Sequence, residues 1–232
     1  MKFMFFGLFL TACSDNKDFP ISNSDNSDNQ SEPSTEILIE TSQAFRVPER
    51  SWDLAVHPDG RIFCSTQSGS KLYAWDPETE LREEEPPNYS NIQALFIPNE
   101  EEVYYTTTEY GVTGTLSRMI NNDSEVLVSQ ADDGTLIRWP MDLIQAPDGG
   151  WLIADYEDHS VFWVHNDASV TRHAVGTDRP EALVYQNPYL YIGGENGLYK
   201  KEWPDGESEQ ISELSTFGLV LVNGEIWAGT LS

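Results

Sequence analysis

The chain carries few positive charges. Thirteen Lys and Arg stand against 39 Asp and Glu, giving a formal charge of -26 over 232 residues. Such a surface repels polyphosphates and anionic headgroups, which argues against a nucleic-acid partner. Cationic partners, divalent ions and simple solubility suit the acid better. Cysteine is as scarce: only Cys13 and Cys64 occur, and they are not expected to meet. Cys64 lies in Arg61-Ile62-Phe63-Cys64-Ser65, a strand pattern in which it is a buried, inert apolar residue. The four histidines do not read as a metal centre. His159 and His165 are placed on one strand, about 20 Å apart at the usual rise. His57 falls at a turn approach and His173 on an outer strand, so surface or interstrand roles are expected for all four. No sustained helical period occurs. Serine-nucleophile elbows, zinc-protease helices, Cys-x-x-Cys pairs and phosphate-cradling loops are missing too. The run Gly193-Gly194-Glu195-Asn196-Gly197 has neither the lysine nor the helix of a phosphate loop and reads as a strand-to-strand turn.

Long hydrophobic runs are also lacking. The apolar stretch 3–10, preceded by Lys2, is too short to span a bilayer and reads as an export signal. Its ending, Leu10-Thr11-Ala12-Cys13, resembles the lipobox of bacterial lipoproteins. That resemblance implies cleavage before Cys13, acylation of the Cys13 thiol and amino terminus, and a membrane contact made through lipid only. Ser14, where an Asp would imply inner-membrane retention, implies the outer membrane, with the protein facing the periplasm or the cell surface. Residues 1–12 are thus a signal peptide. Residues 13–35, rich in Ser, Asn and Asp, have little to bury and are expected to be a disordered tether. Asp25, Ser27, Asn29 and Glu36 approach the spacing of a calcium loop, but Gln30 replaces its turn glycine and no helices flank it.

Residues 36–232 form the folded unit, and here one phrase recurs five times. Its clearest copy runs from Pro140 to Asp155: an apolar run, the turn Pro147-Asp148-Gly149, and a second apolar run. Related copies start near Trp52, Ile92, Pro180 and Thr216. Repeats of roughly 40 residues, each with several short strands, predict an all-β propeller of four-stranded blades. Strands are expected at 53–57, 61–65 and 71–75 with a weak outer one near Leu81; at 93–97, 103–107, 115–120 and 125–129; at 142–146, 151–154, 160–165 and 169–175; and at 182–185, 190–193, 197–202 and 209–213. The fifth repeat supplies only 218–222 and 225–229. Strand 37–41 is a candidate to complete that blade. Five blades with a three-stranded closing one, or a piece of a six-bladed ring, are the two readings, and the mid-repeat ending favours the second. The acidic runs 83–85 and 100–102 read as solvated loops. The aromatics Trp75, Tyr104, Trp151, Trp163, Tyr191 and Trp227 are expected between blades.

The phrase resembles NHL repeats and the wider group of gluconolactonase-like and strictosidine-synthase-like propellers. The resemblance covers roughly residues 50–230. It implies a central channel with functional residues where the innermost strands begin and, in the lactonases, a metal held by Glu, Asn and Asp. Aligning the repeats puts Trp52, Ile92, Met141, Glu181 and Phe217 in one column there, and Asp53, Gln93, Asp142, Ala182 and Gly218 in the next. In the first column only Glu181 suits a hard cation, which wants several oxygens. A one-residue slip would bring Asp53, Asp142 and Glu181 together, and three like charges need a cation between them. Two readings follow. One is a lipid-anchored envelope propeller that binds a protein or small-molecule ligand, with no cofactor and no catalysis. The other is a lactonase-type hydrolase with calcium on Glu181, Asp142 and Asp53.

Overall fold

A computed structural model describes residues 51–66, 72–80, 82–85, 91–108 and 113–230. The expected signal peptide, Cys13, the tether and strand 37–41 lie outside the described residues. Eighteen strands make up the described chain, and none of it is helical. The protein is an all-β propeller.

Blade one contains β1 (Ser51–Val56), β2 (Ile62–Thr66), β3 (Leu72–Trp75) and β4 (Arg82–Glu85). Blade two contains β5 (Ile92–Phe96), β6 (Glu102–Thr108), β7 (Gly114–Ile120) and β8 (Asp123–Val128). Blade three has β9 (Pro140–Gln145), β10 (Trp151–Asp155), β11 (Ser160–Val164) and β12 (Val170–Ala174). Blade four has β13 (Pro180–Gln186), β14 (Tyr189–Gly194), β15 (Gly197–Glu202) and β16 (Ser208–Ser212). The fifth sheet, among the described residues, is the hairpin of β17 (Thr216–Val222) and β18 (Glu225–Thr230). Every blade is an antiparallel meander. The first strands β1, β5, β9, β13 and β17 contact one another in succession, which makes them the innermost.

The core lies between blades. Side chains alternate faces along a strand, and each middle strand is covered on both sides. Strand β10 shows the result. Trp151 and Ile153 join the cluster with Tyr104, Leu116 and Leu143, facing blade two. Leu152 and Ala154 join Leu183, Leu190, Ile192 and Trp203, facing blade four. A third cluster seats Phe63 and Leu72 against Ile92, Val103 and Tyr105. This double burial is why the inner phrase reads as an unbroken apolar run rather than an alternating one. Tyr104 and Trp151 meet across the blade boundary at 4.1 Å between centroids, and Trp163 and Trp203 at 5.6 Å, so these aromatics do wedge between blades.

Turn chemistry fixes the register. Asn223 and Gly224 both have positive φ, 51° and 81°, as a two-residue hairpin turn requires. Gly150 is a close approach instead: a Cβ there would lie 2.1 Å from the Val164 carbonyl oxygen. Three expectations are corrected. The acidic run 83–85 belongs to β4, paired with β3, rather than to a loop. His159 and His165 flank β11 instead of lying within it. His57 is 6% exposed, with Nδ1 2.7 Å from Asp59, so it is a buried turn anchor rather than a surface group.

Candidate functional site at the channel mouth

Each innermost strand opens with a β-bulge. The pairing skips between Ser51 and Leu54 in β1, Ile92 and Leu95 in β5, Pro180 and Ala182 in β13, and Thr216 and Gly218 in β17. In β9 it skips between Pro140 and Asp142, opposite Asp155 and Ala154. A bulge re-aims the extra residue and sharpens the twist. Counting from the paired Leu that follows each bulge gives the true columns. The first is Trp52, Gln93, Met141, Glu181 and Phe217; the second is Asp53, Ala94, Asp142, Ala182 and Gly218. Blade two is therefore one residue out of step with the sequence alignment, which put Ile92 and Gln93 in these places. Ile92 is a core residue, 1% exposed.

The second column ties blades together. Asp53 Oδ2 accepts the Leu95 N–H at 2.7 Å, and its Oδ1 accepts the Leu54 N–H at 2.7 Å. Asp142 repeats the pattern one blade pair further on: Oδ2 accepts the Leu183 N–H at 2.6 Å and Oδ1 the Leu143 N–H at 2.7 Å. Ala94 cannot do this, and blade two uses Thr106 instead. Its Oγ1 accepts the Ala94 N–H and donates to the Pro140 carbonyl, both at 3.1 Å. Burial dominates the acidity of both aspartates. It pushes Asp53 up to about 6 despite its two amide donors. Asp142 goes up to about 7, through burial first and the Asp53 charge second.

Glu181 belongs to a different group. Burial raises its carboxyl to about 7, with the Glu195 charge adding and Arg179 opposing. Around it lies a fixed network between blades three and four. The Tyr156 hydroxyl donates to Glu195 Oε1 at 2.7 Å. Arg179 Nη1 donates to the same oxygen at 2.7 Å and to Tyr156 Oη at 3.1 Å. The guanidinium also sits 4.9 Å from the Tyr156 ring centroid, a cation–π contact. These bonds, the tyrosine's first, hold Glu195 below the usual carboxylate range, and Glu195 in turn raises Tyr156. Trp139 packs on Tyr156 at 5.5 Å and donates Nε1–H to Gln93 Oε1 at 3.4 Å. Two non-glycine residues here are left-handed, His159 (φ 53°) and Arg179 (φ 52°). The Arg179 N–H donates to His159 Nδ1 at 3.1 Å. Such backbone strain persists only where surrounding structure enforces it.

Asp155 braces the connections that carry Trp139 and Tyr156. It is wholly buried. Its Oδ2 accepts the N–H groups of Arg138 and Trp139, at 2.6 and 3.1 Å. Its Oδ1 accepts those of Glu157 and Asp158, at 3.1 and 2.9 Å. One carboxylate thus sets both the strap carrying Trp139 and the turn carrying Tyr156. Sequence reasoning missed Asp155, Trp139, Tyr156, Arg179 and Glu195. Asp155 closes the recurrent phrase, and the strand-ending Asp followed by Tyr, Glu, Asp and His was the available signal.

The three carboxyls singled out in the sequence all have pKa values pushed above the ordinary carboxylate range, yet they do not form one donor set. Asp53 and Asp142 give their oxygens to backbone amides, and Glu181 stands with Arg179, Tyr156 and Glu195. Among the described residues no three His, Cys, Asp or Glu side chains gather as ligands. The arrangement does not fit a calcium ion, which needs six or more oxygens. Its chemical capacity is different. Glu181, its carboxyl pushed up to about 7, stands near Tyr156 and the Arg179–Glu195 pair and can take a donor or cation from a ligand.

No protein-family model matches the chain, and no curated protein matches it. Solved structures do share its fold. Virginiamycin B lyase from Staphylococcus aureus aligns with a TM-score of 0.59 at 12% identity, over 78% of this chain and 63% of that one. A protein described as a gluconolactonase aligns at 0.60 and 16% identity, over 78% and 71%. A chain of a nidogen/laminin complex aligns at 0.58 and 14% identity, over 70% and 64%. The chain thus spans less than two thirds of the lyase's length. At these identities the likeness is one of fold: a propeller architecture whose members do lyase chemistry in one case and sit in a protein complex in another.

Proposed function

We propose that this is a lipid-anchored β-propeller of the bacterial cell envelope that binds a ligand at the channel mouth between blades three and four, without chemistry of its own. One observation carries the reading. The two channel aspartates that a catalytic cation would need are already committed, oxygen by oxygen, to the amides that join successive blades. What remains is Glu181, near Tyr156, Arg179 and Glu195, a place for a polar or cationic group of a small molecule or of a partner protein. The -26 charge of the chain favours a cation. The anchor is the acylated Cys13, and the tether 13–35 lets the propeller stand off the outer membrane.

The competing reading is a calcium-dependent lactonase. It is favoured by the raised pKa values of Asp53, Asp142 and Glu181 together, since a nearby cation would favour the charged form of each. Thermal melting separates the two. The binding reading expects the same midpoint in calcium and in chelator. A ligand bound only by the folded state must raise the midpoint, so a calcium-dependent rise that disappears in Glu181→Gln would establish a calcium site there and overturn the cation-free reading; hydrolysis of a lactone, lost in the same variant, would then establish the lactonase. Membrane fractionation tests the anchor: Cys13→Ser is expected to move the protein into the soluble fraction, and retention would refute it.

A further inference from the structure

The sequence separates the histidines, but the fold does not. On the outer part of blade three, His165 Nε2 lies 3.0 Å from Thr171 Oγ1, and His173 Nε2 lies 3.1 Å from the same oxygen. Two imidazole nitrogens therefore converge on one hydroxyl. The cause is the tight turn from β11 into β12. It folds His165 back over the strand, and Thr171 and His173, two residues apart, share a face of it.

Each ring is also held from behind. His165 Nδ1 faces Asp148 Oδ2 at 3.4 Å. Asp148 is itself fixed by the Gly150 N–H at 3.0 Å and the Trp163 Nε1–H at 3.2 Å. Trp163 stacks on His165 at 4.0 Å between centroids, and Trp203 stands 4.7 Å from His173. With Asp148 taking the Nδ1 proton, the lone pair of His165 Nε2 points toward Thr171. An imidazole oriented through its far nitrogen by a carboxylate is the arrangement that metal-binding histidines use. Water reaches the cluster, since Thr171 is exposed and the His165 side chain is 24% exposed. Lys201 is the nearby cation, and its Nζ is occupied by the Gly206 carbonyl at 2.6 Å.

We propose that His165 and His173 form a surface site for a divalent transition-metal ion, with Thr171 Oγ1 and water completing the sphere and Asp148 as the positioning residue behind His165. Imidazole nitrogen selects copper, nickel and zinc over calcium and magnesium, with copper(II) bound most tightly. The site is remote from the channel carboxylates and independent of the ligand proposed for the mouth.

The test is calorimetric titration of the folded propeller with copper(II) and with zinc in excess magnesium, which silences general binding to carboxylates. Tryptophan fluorescence is followed in parallel, because Trp163 and Trp203 flank the rings. One equivalent is expected to bind tightly, copper above zinc, with saturable quenching. His165→Gln and His173→Gln should each abolish that equivalent. Asp148→Asn should keep the stoichiometry but weaken the affinity about 10–100-fold. Imidazole nitrogen NMR of the unsubstituted protein gives the same answer without any variant: zinc should shift Nε2 of His165 and His173 and leave the other imidazoles in place. Equal affinity in the wild type and both histidine variants, no stoichiometric binding, or zinc shifts at other histidines would each overturn the proposal.

Discussion

Replacing Asp142 by alanine is expected to lower the unfolding free energy by about 2–5 kcal/mol, because it orphans two backbone amides at roughly 1–3 kcal/mol each. One of them, on Leu183, belongs to a residue only 1% exposed, inside the cluster that joins blades three and four. That amide has no water to turn to. Folded domains hold only about 5–15 kcal/mol in total, so the variant should melt far below the parent. Asp142→Asn separates the contributions. Its carbonyl oxygen satisfies one amide while its NH2 opposes the other, so an intermediate loss is expected. Glu181→Gln serves as the contrast: no hydrogen bond of Glu181 is lost and a carboxyl pushed up to about 7 by burial gives way to a neutral amide, so no loss of stability is expected. Chemical denaturation of the three variants side by side checks the ordering. Equal stability of Asp142→Ala and Glu181→Gln would show that Asp142 does not tie the blades.

Why the sequence revealed the clamp's residues but not their role is a matter of length scale. The propeller is written in local signals: Pro147-Asp148-Gly149 and Asn223-Gly224 set turns, and the doubly buried β10 writes an unbroken apolar run. Those patterns need only neighbours a few residues away. The clamp from Asp142 to Leu183 crosses 41 positions, and no local pattern encodes it. The turn spacing hides another part. Leu54 and Leu143 stand four residues before Pro58 and Pro147, but Leu95 stands three before Pro98, so aligning on the turn misplaced Ile92 and Gln93 by one step. The mouth network was hidden for the same reason. Tyr156, Arg179 and Glu195 come from three separate connections, and only the radial packing of two blades makes them neighbours. The pair His165 and His173 was not weighed, because only His159 and His165 were compared, along one strand, whereas the chain turns back directly after β11.

Acid should stabilise this protein over a range where most proteins are indifferent. In the unfolded chain an aspartate titrates near 3.9. In the fold, burial carries Asp142 up to about 7 and Asp53 up to about 6. The folded state therefore holds protons that the unfolded state has released, and stability falls with rising pH between the two values. At up to about 1.36 kcal/mol per pH unit, Asp142 alone shifts the balance by about 3 kcal/mol between pH 4 and 7, since each end of the window is only half titrated. Asp53 acts in the same direction over the lower part of the window, although part of the Asp142 rise is the Asp53 charge itself, so the two do not simply add. Glu181, raised mainly by burial, contributes with the same sign. The opposing groups are those held low, and their stabilisation is lost only as pH drops through their folded values; Asp59, at about 2, is among them. The unfolding midpoint should accordingly be highest near pH 4 and decline until pH has passed about 7, levelling off above it. General repulsion among the excess carboxylates has the same trend but is screened by salt, whereas burial of Asp142 is not. Denaturation at a series of pH values in high salt should therefore retain the decline in the parent and make it shallower in Asp142→Asn, where Asp53 and Glu181 still titrate. A midpoint that rises toward neutrality, or an unchanged slope in that variant, would show that the buried channel carboxyls do not govern the pH response.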